Sequence, residues 1–176
     1  MKRYISMFLL LIVCFILQTT LFQYLKIASV IPNLILVVTA ISGLMYGRRL
    51  GMFTGVMCGL LVDLLYASVI GLNIMFYMII GYANGSANKL YFKEDYMIPF
   101  AAIAASDLIY GSLYYICNFL LRGRLHFFFY FRSVMIPEMI YTLLIGIFIY
   151  LFVKWLDRWI DPPVEVPLKT KKSFEE

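Results

Sequence analysis

Apolar residues run along this chain in six long blocks separated by short polar or turn-forming stretches. The blocks cover residues 4–25, 33–46, 50–66, 72–90, 96–120 and 133–156. Blocks of this kind, bounded by Gly, Pro, Asn and charged residues, predict helices. A bilayer core needs about 20 helical residues to cross. Five of the blocks approach or exceed that length. The second is short, and Pro32 opens it, where a missing N–H costs little. Tilting, neighbours or extension into the Gly47-Arg48-Arg49 turn would accommodate it. A re-entrant hairpin over residues 32–66 is the alternative, giving four full spans, but it would bury Arg48 and Arg49 in hydrocarbon, which is costly. The expected fold is therefore all-α, a polytopic membrane bundle of six transmembrane helices.

Within the third block, Gly51, Gly55, Gly59 and Asp63 follow one another at four-residue spacing. Positions four apart lie one above the other on a helix. The glycines form a smooth groove for a neighbouring helix backbone, and Asp63 stands about 18 Å from Gly51 along the axis. Gly81 and Gly85 repeat the spacing in the fourth block. The groove reads either as internal helix packing or as a seat for a partner's span.

Composition agrees with the pattern. The chain is 63% hydrophobic, which excludes an ordinary soluble domain. The net charge of +5 does not indicate nucleic acid, because the cations lie in loops and tails. With the N-terminus inside, Lys2, Arg3, Arg48, Arg49, Lys89, Lys93, Lys154, Arg158, Lys169, Lys171 and Lys172 face the cytoplasm; Lys26, Arg122, Arg124 and Arg132 face outward. That asymmetry places both termini in the cytoplasm. Tyr and Trp residues near the block ends form an interfacial belt. The first block lacks a small-residue cleavage pattern and reads as an uncleaved helix. Residues 1–160 form the transmembrane domain, and residues 161–176, with three prolines and mixed charge, a flexible cytoplasmic tail. The loop from Arg122 to Arg132 carries His126 and an aromatic run that suits a partial interfacial helix.

Three acids fall inside blocks: Asp63, Asp107 and Glu138. Intramembrane acids need a partner or a wet cavity. Arg132 is a candidate partner for Glu138 or Asp63, whereas no cation shares the depth of Asp107. The acids either hold helices in register or line a proton or substrate path. Asn33, Asn73, Asn84, Asn88 and Asn118 supply amides that cross-link helices. Tyr77, Tyr82, Tyr110, Tyr114 and Tyr115 could line a cavity. Cys14, Cys58 and Cys117 lie in three different blocks without metal-ligand spacing, so neither a metal site nor a disulfide framework is expected. No phosphate loop, HExxH or GxSxG is present, and His126 is the one histidine. The residues predict no enzyme, no catalytic set and no cofactor.

Residues 32–73 carry a resemblance. The ordered set Pro32-Asn33, Gly47-Arg48, Gly59-Leu60-Leu61-Val62-Asp63-Leu64 and Gly71-Leu72-Asn73 resembles the signature of the rod shape-determining protein MreD family. Beyond Asn73 only the hydropathy layout matches, so no role passes to Asp107 or Glu138. The resemblance implies a non-enzymatic component of the bacterial cell-elongation machinery, the elongasome, in the cytoplasmic membrane. It implies binding to the span of MreC and, indirectly, organisation of MreB, RodA and a class B penicillin-binding protein. Peptidoglycan synthesis, cell wall organisation and rod cell shape would depend on that scaffold. It also implies a fold similar to the membrane substrate-binding subunits of energy-coupling-factor transporters. The competing reading is thus a vitamin-type transporter subunit or a lipid carrier.

Overall fold

The computed structural model describes residues 2–25, 30–66, 70–91, 96–118 and 127–160, which fold into a bundle of helices. Helix α1 is Lys2–Tyr24, α2 Leu34–Tyr46, α3 Arg48–Tyr66, α4 Leu72–Ser86 and α5 Met97–Asn118. A 3-10 turn, Ala87–Leu90, prolongs α4. The last strut begins with the short α6, Phe127–Tyr130, passes through a π-helical turn, Phe131–Met135, and continues as α7, Ile136–Ile160. The tail at 161–176 and His126 lie outside the described residues.

Four helices are long and apolar enough to cross a bilayer: Ile5–Tyr24, Arg48–Tyr66, Met97–Asn118 and the composite Phe127–Trp159. The expectation of six full spans is met in part, because α2 and α4 are shorter. Helix α2, at 13 residues, is about 20 Å long. It can be short because it meets no lipid. Every residue from Leu34 to Leu44 is buried, and α2 touches α1, α3, α4, α5 and α7. It is the axle of the bundle. The largest wholly buried side chains gather on and around it, among them Ile35, Leu36, Ile41, Tyr77, Ile103 and Tyr150. Helices α1 and α7 instead show apolar faces outward, for example Ile5, Leu9, Phe148 and Phe152, as lipid-facing helices do.

Local chemistry fixes the ends. Helix α2 begins one residue later than the sequence suggests, because Asn33 is its N-cap: its Oδ1 accepts the Leu36 N–H at 3.1 Å. Pro32 therefore lies outside the helix. At the other end Gly47 alone joins α2 to α3, with φ +88°, a region that favours glycine. Its N–H donates to the Gly43 carbonyl at 2.8 Å. Gly71, with φ +110°, makes the corresponding turn into α4. The π-helical turn sits just ahead of Pro137, which has no N–H to donate; the Ile136 N–H reaches back to the Phe131 carbonyl. The helix thus runs on from Phe127 through residue 133, where the sequence starts the last apolar block.

Candidate functional site

The glycine series meets a partner within the chain. Helices α3 and α4 form the most extensive pairing in the bundle. Gly51 lies against the Gly81 backbone, Gly55 against Tyr77, Gly59 against Ile74 and Gly85 against Arg48. A Cβ placed on Gly85 would stand 2.5 Å from the Arg48 Cα, and one on Gly43 would stand 2.7 Å from the Gly81 carbonyl oxygen. Both are closer than real Cβ contacts allow. Helix α4 therefore occupies the groove, leaving no room there for an outside span. Gly43 was missed by the sequence reading, yet it extends the same spacing backwards across the turn, through Gly47, to α2.

Asp63 closes this seam. It is 2% exposed and faces the first turn of α4. Its Oδ2 accepts the backbone N–H of Gly71 at 2.8 Å and of Ile74 at 3.1 Å. Its Oδ1 accepts the Asn73 N–H at 3.3 Å and the Asn73 side-chain amide at 2.9 Å. A carboxylate at a helix N-terminus satisfies orphan donors and meets the positive end of the macrodipole. The expected partnership with Arg132 is not formed: Arg132 is exposed, and the donors on Asp63 are amides.

From Asp63 a polar chain crosses the bundle. Asn73 Oδ1 accepts the Tyr110 hydroxyl at 3.0 Å. The Tyr110 ring lies 5.1 Å from that of Tyr77. The Tyr77 hydroxyl donates to Asn33 Oδ1 at 3.0 Å, and the Asn33 N–H donates to Thr142 Oγ1 at 3.1 Å. Helices α2, α3, α4, α5 and α7 are tied in this way at one end. A second tie lies deeper, where Asn84 Nδ2 donates to Ser106 Oγ at 2.7 Å. At the opposite end Asn88 donates to the Leu44 carbonyl at 2.6 Å, Tyr46 to Asp157 Oδ1 at 3.1 Å, and Arg48 stacks over Tyr82 at 5.3 Å.

The chain of amides and tyrosines borders a cavity of about 620 Å³. It opens among the ends of α1, α3 and α5 and the starts of α2, α4 and α7. Asn33, Asn73, Tyr77, Tyr110, Tyr114 and Glu138 contribute to its wall. Of the tyrosines expected around a cavity, Tyr77, Tyr110 and Tyr114 line it. Tyr82 instead lies under Arg48, and Tyr115 packs on the rings of Phe127 and Tyr130. Gln18 and Tyr130, which also line the wall, went unnoticed in the sequence. Their signal is weak, since a glutamine or a tyrosine near a span end suits the interface equally well.

Glu138 stands in that wall without a hydrogen bond or ion pair among the described residues, and it is an electrostatic neighbour of Asp107, Tyr110 and Tyr130. Asp107 is 5% exposed, and its Oδ1 has no hydrogen-bond partner among the described residues. It lies one helical turn below Gly111, which lines the cavity. The structure thus divides the three acids: Asp63 is saturated with donors, while Asp107 and Glu138 share one region and have no hydrogen-bond partner among the described residues. No group of three metal-ligating side chains gathers among the described residues.

No curated protein and no solved structure matches the chain. The model of the family described as rod shape-determining protein MreD matches residues 1–159. With nearly the whole helical bundle inside that match, the chain belongs to the MreD family and is a membrane component of the rod-shape machinery.

Proposed function

We propose that this protein is a non-enzymatic scaffold of the cell-elongation machinery. It binds the membrane span of MreC and through it helps organise MreB, RodA and a class B penicillin-binding protein. It sits in the bacterial cytoplasmic membrane with both termini inside, as the cation asymmetry favours. One observation carries the reading: the Asp63 carboxylate is engaged entirely in holding α4 onto α3. Glycine faces and buried amides likewise serve internal packing, which suits a rigid platform. Since α4 fills the glycine groove, the MreC span docks on another face.

Mild detergent purification of the tagged protein from its native membrane, followed by mass spectrometry, tests this. Recovery of MreC with wall synthases is expected. Recovery of paired cytoplasmic ATPases and a second membrane subunit would replace the scaffold with the transporter reading. The cavity is the observation that favours that second reading, in which the bundle is akin to the substrate-binding subunits of energy-coupling-factor transporters.

A further inference from the structure

The cavity wall carries chemistry that the scaffold role does not use. Among its described lining residues, Glu138 is the acidic side chain, and no lysine or arginine is present. Arg132 is close in sequence, next to the lining residue Ser133, but is exposed. Among the described lining residues an anionic guest such as a phosphate would find no cation and would meet a carboxylate. A neutral apolar guest would leave the Glu138 carboxyl against hydrocarbon, which is unfavourable. A cationic guest suits the acid and the tyrosines of the wall. Tyr110 and Tyr114 set their rings 6.1 Å apart in the wall, beside the buried Tyr77 ring, 5.1 Å from that of Tyr110, and ring faces attract ammonium groups. Glu138 supplies an acid to pair with the amine, and Asp107, one turn deeper, is its acidic neighbour. The volume of about 620 Å³ lies in the range of small-molecule sites.

We propose that this cavity binds an organic ammonium group, a protonated amine held between Glu138 and the tyrosine rings. The inference is independent of the scaffold reading. The cavity lies at the bundle end away from Arg48, Arg49 and Asp157, so two sources share this chemistry: the ethanolamine headgroup of a lipid, and a soluble amine.

Thermal unfolding of the full chain separates them. One arm compares nanodiscs of phosphatidylglycerol alone with nanodiscs containing phosphatidylethanolamine. The other titrates the detergent-solubilised protein with phenethylammonium chloride, using neutral 2-phenylethanol as the matched control. A saturable rise in Tm with either amine, absent with the alcohol, is expected. A rise in the first arm alone assigns the lipid headgroup, in the second alone a soluble amine, and in both a site that accepts either. Glu138→Gln should weaken the response about tenfold or more, as loss of a desolvated charge partner does. If that variant does not fold, Tyr114→Ala is expected to weaken it in the same direction, and the amine–alcohol comparison needs no variant. Equal shifts for amine and alcohol, no shift in either arm, or an undiminished response in a folded Glu138→Gln protein would overturn the proposal.

Discussion

Asp63 takes both donors of Asn73 on one carboxylate oxygen, the backbone N–H at 3.3 Å and the side-chain amide at 2.9 Å. The pair locks the end of α3 to the start of α4 and orients Asn73 so that its own oxygen faces Tyr110. An acid inside a membrane bundle is here a cap on a neighbouring helix.

Replacing that acid should therefore be graded by donors lost. Asp63→Asn keeps one acceptor but turns an amide toward the N–H groups of Gly71 and Ile74, so a loss of about 1.5–3 kcal/mol is expected. Asp63→Leu leaves every donor unmet and should be worse. Unfolding curves of both variants in the same detergent would check the order; equal tolerance of both would mean the cap is dispensable.

The seam of glycines should be intolerant even of a methyl group. Gly55→Ala would push a Cβ into the Tyr77 backbone, which cannot yield as a side chain can, so the variant should lose about 2 kcal/mol or more. Gly146→Ala offers the contrast. Its Cβ would meet the tip of Ile103 at 3.2 Å, a movable group, and should cost well under half as much. Membrane abundance and Tm of the two variants provide the comparison.

Asn84 and Ser106 tie α4 to α5 across a buried gap. A double-mutant cycle with Asn84→Ala and Ser106→Ala should give a coupling of about 0.6–1.7 kcal/mol, the range for hydrogen bonds between membrane helices. A coupling near zero would show that each side chain finds a substitute partner.

Asp107 should behave in the opposite sense to Asp63. Its Oδ1 is buried and unpartnered, so Asp107→Leu should raise the Tm of the ligand-free protein, by about 1 kcal/mol of stability or more, through removal of an unsatisfied polar group. The same substitution should reduce any response to phenethylammonium. A fall in Tm would mean that Asp107 has a stabilising partner in the folded protein.

Much of this arrangement could be read from the chain. The hydropathy blocks locate all the principal helices, because a membrane helix must be apolar over its whole crossing and the connections must not be. The four-residue spacing of Gly51, Gly55 and Gly59 marks a close approach of backbones, since glycine, without a Cβ, permits the tightest one. The occupant of the groove was not legible: a glycine face looks the same to α4 as to a foreign span. Nor was the sharing of one region by Asp107 and Glu138. Their juxtaposition depends on how α5 meets α7, which is set by packing across residues far apart in sequence. The π turn had a hint in Pro137, but its extension of the helix back to Phe127 depends on backbone bonds that hydropathy does not register. Arg132 seemed the natural counter-ion for an acid at similar depth, yet neither acid meets it.

Helix α2 touches other helices on every side. Thr39 and Ser42 fold their hydroxyls back onto the carbonyls of Ile35 and Thr39, at 3.0 and 2.9 Å, and so act as small fillers. On a lipid-facing helix, an exchange of Leu for Phe or Ile alters little, because acyl chains flow around the new shape. Along α2 that freedom does not exist: each exchange is a change of volume in a closed space, felt by several neighbours at once. Sequence drift in this protein is therefore expected to be slowest on this short central helix, and governed there by size rather than by hydrophobicity.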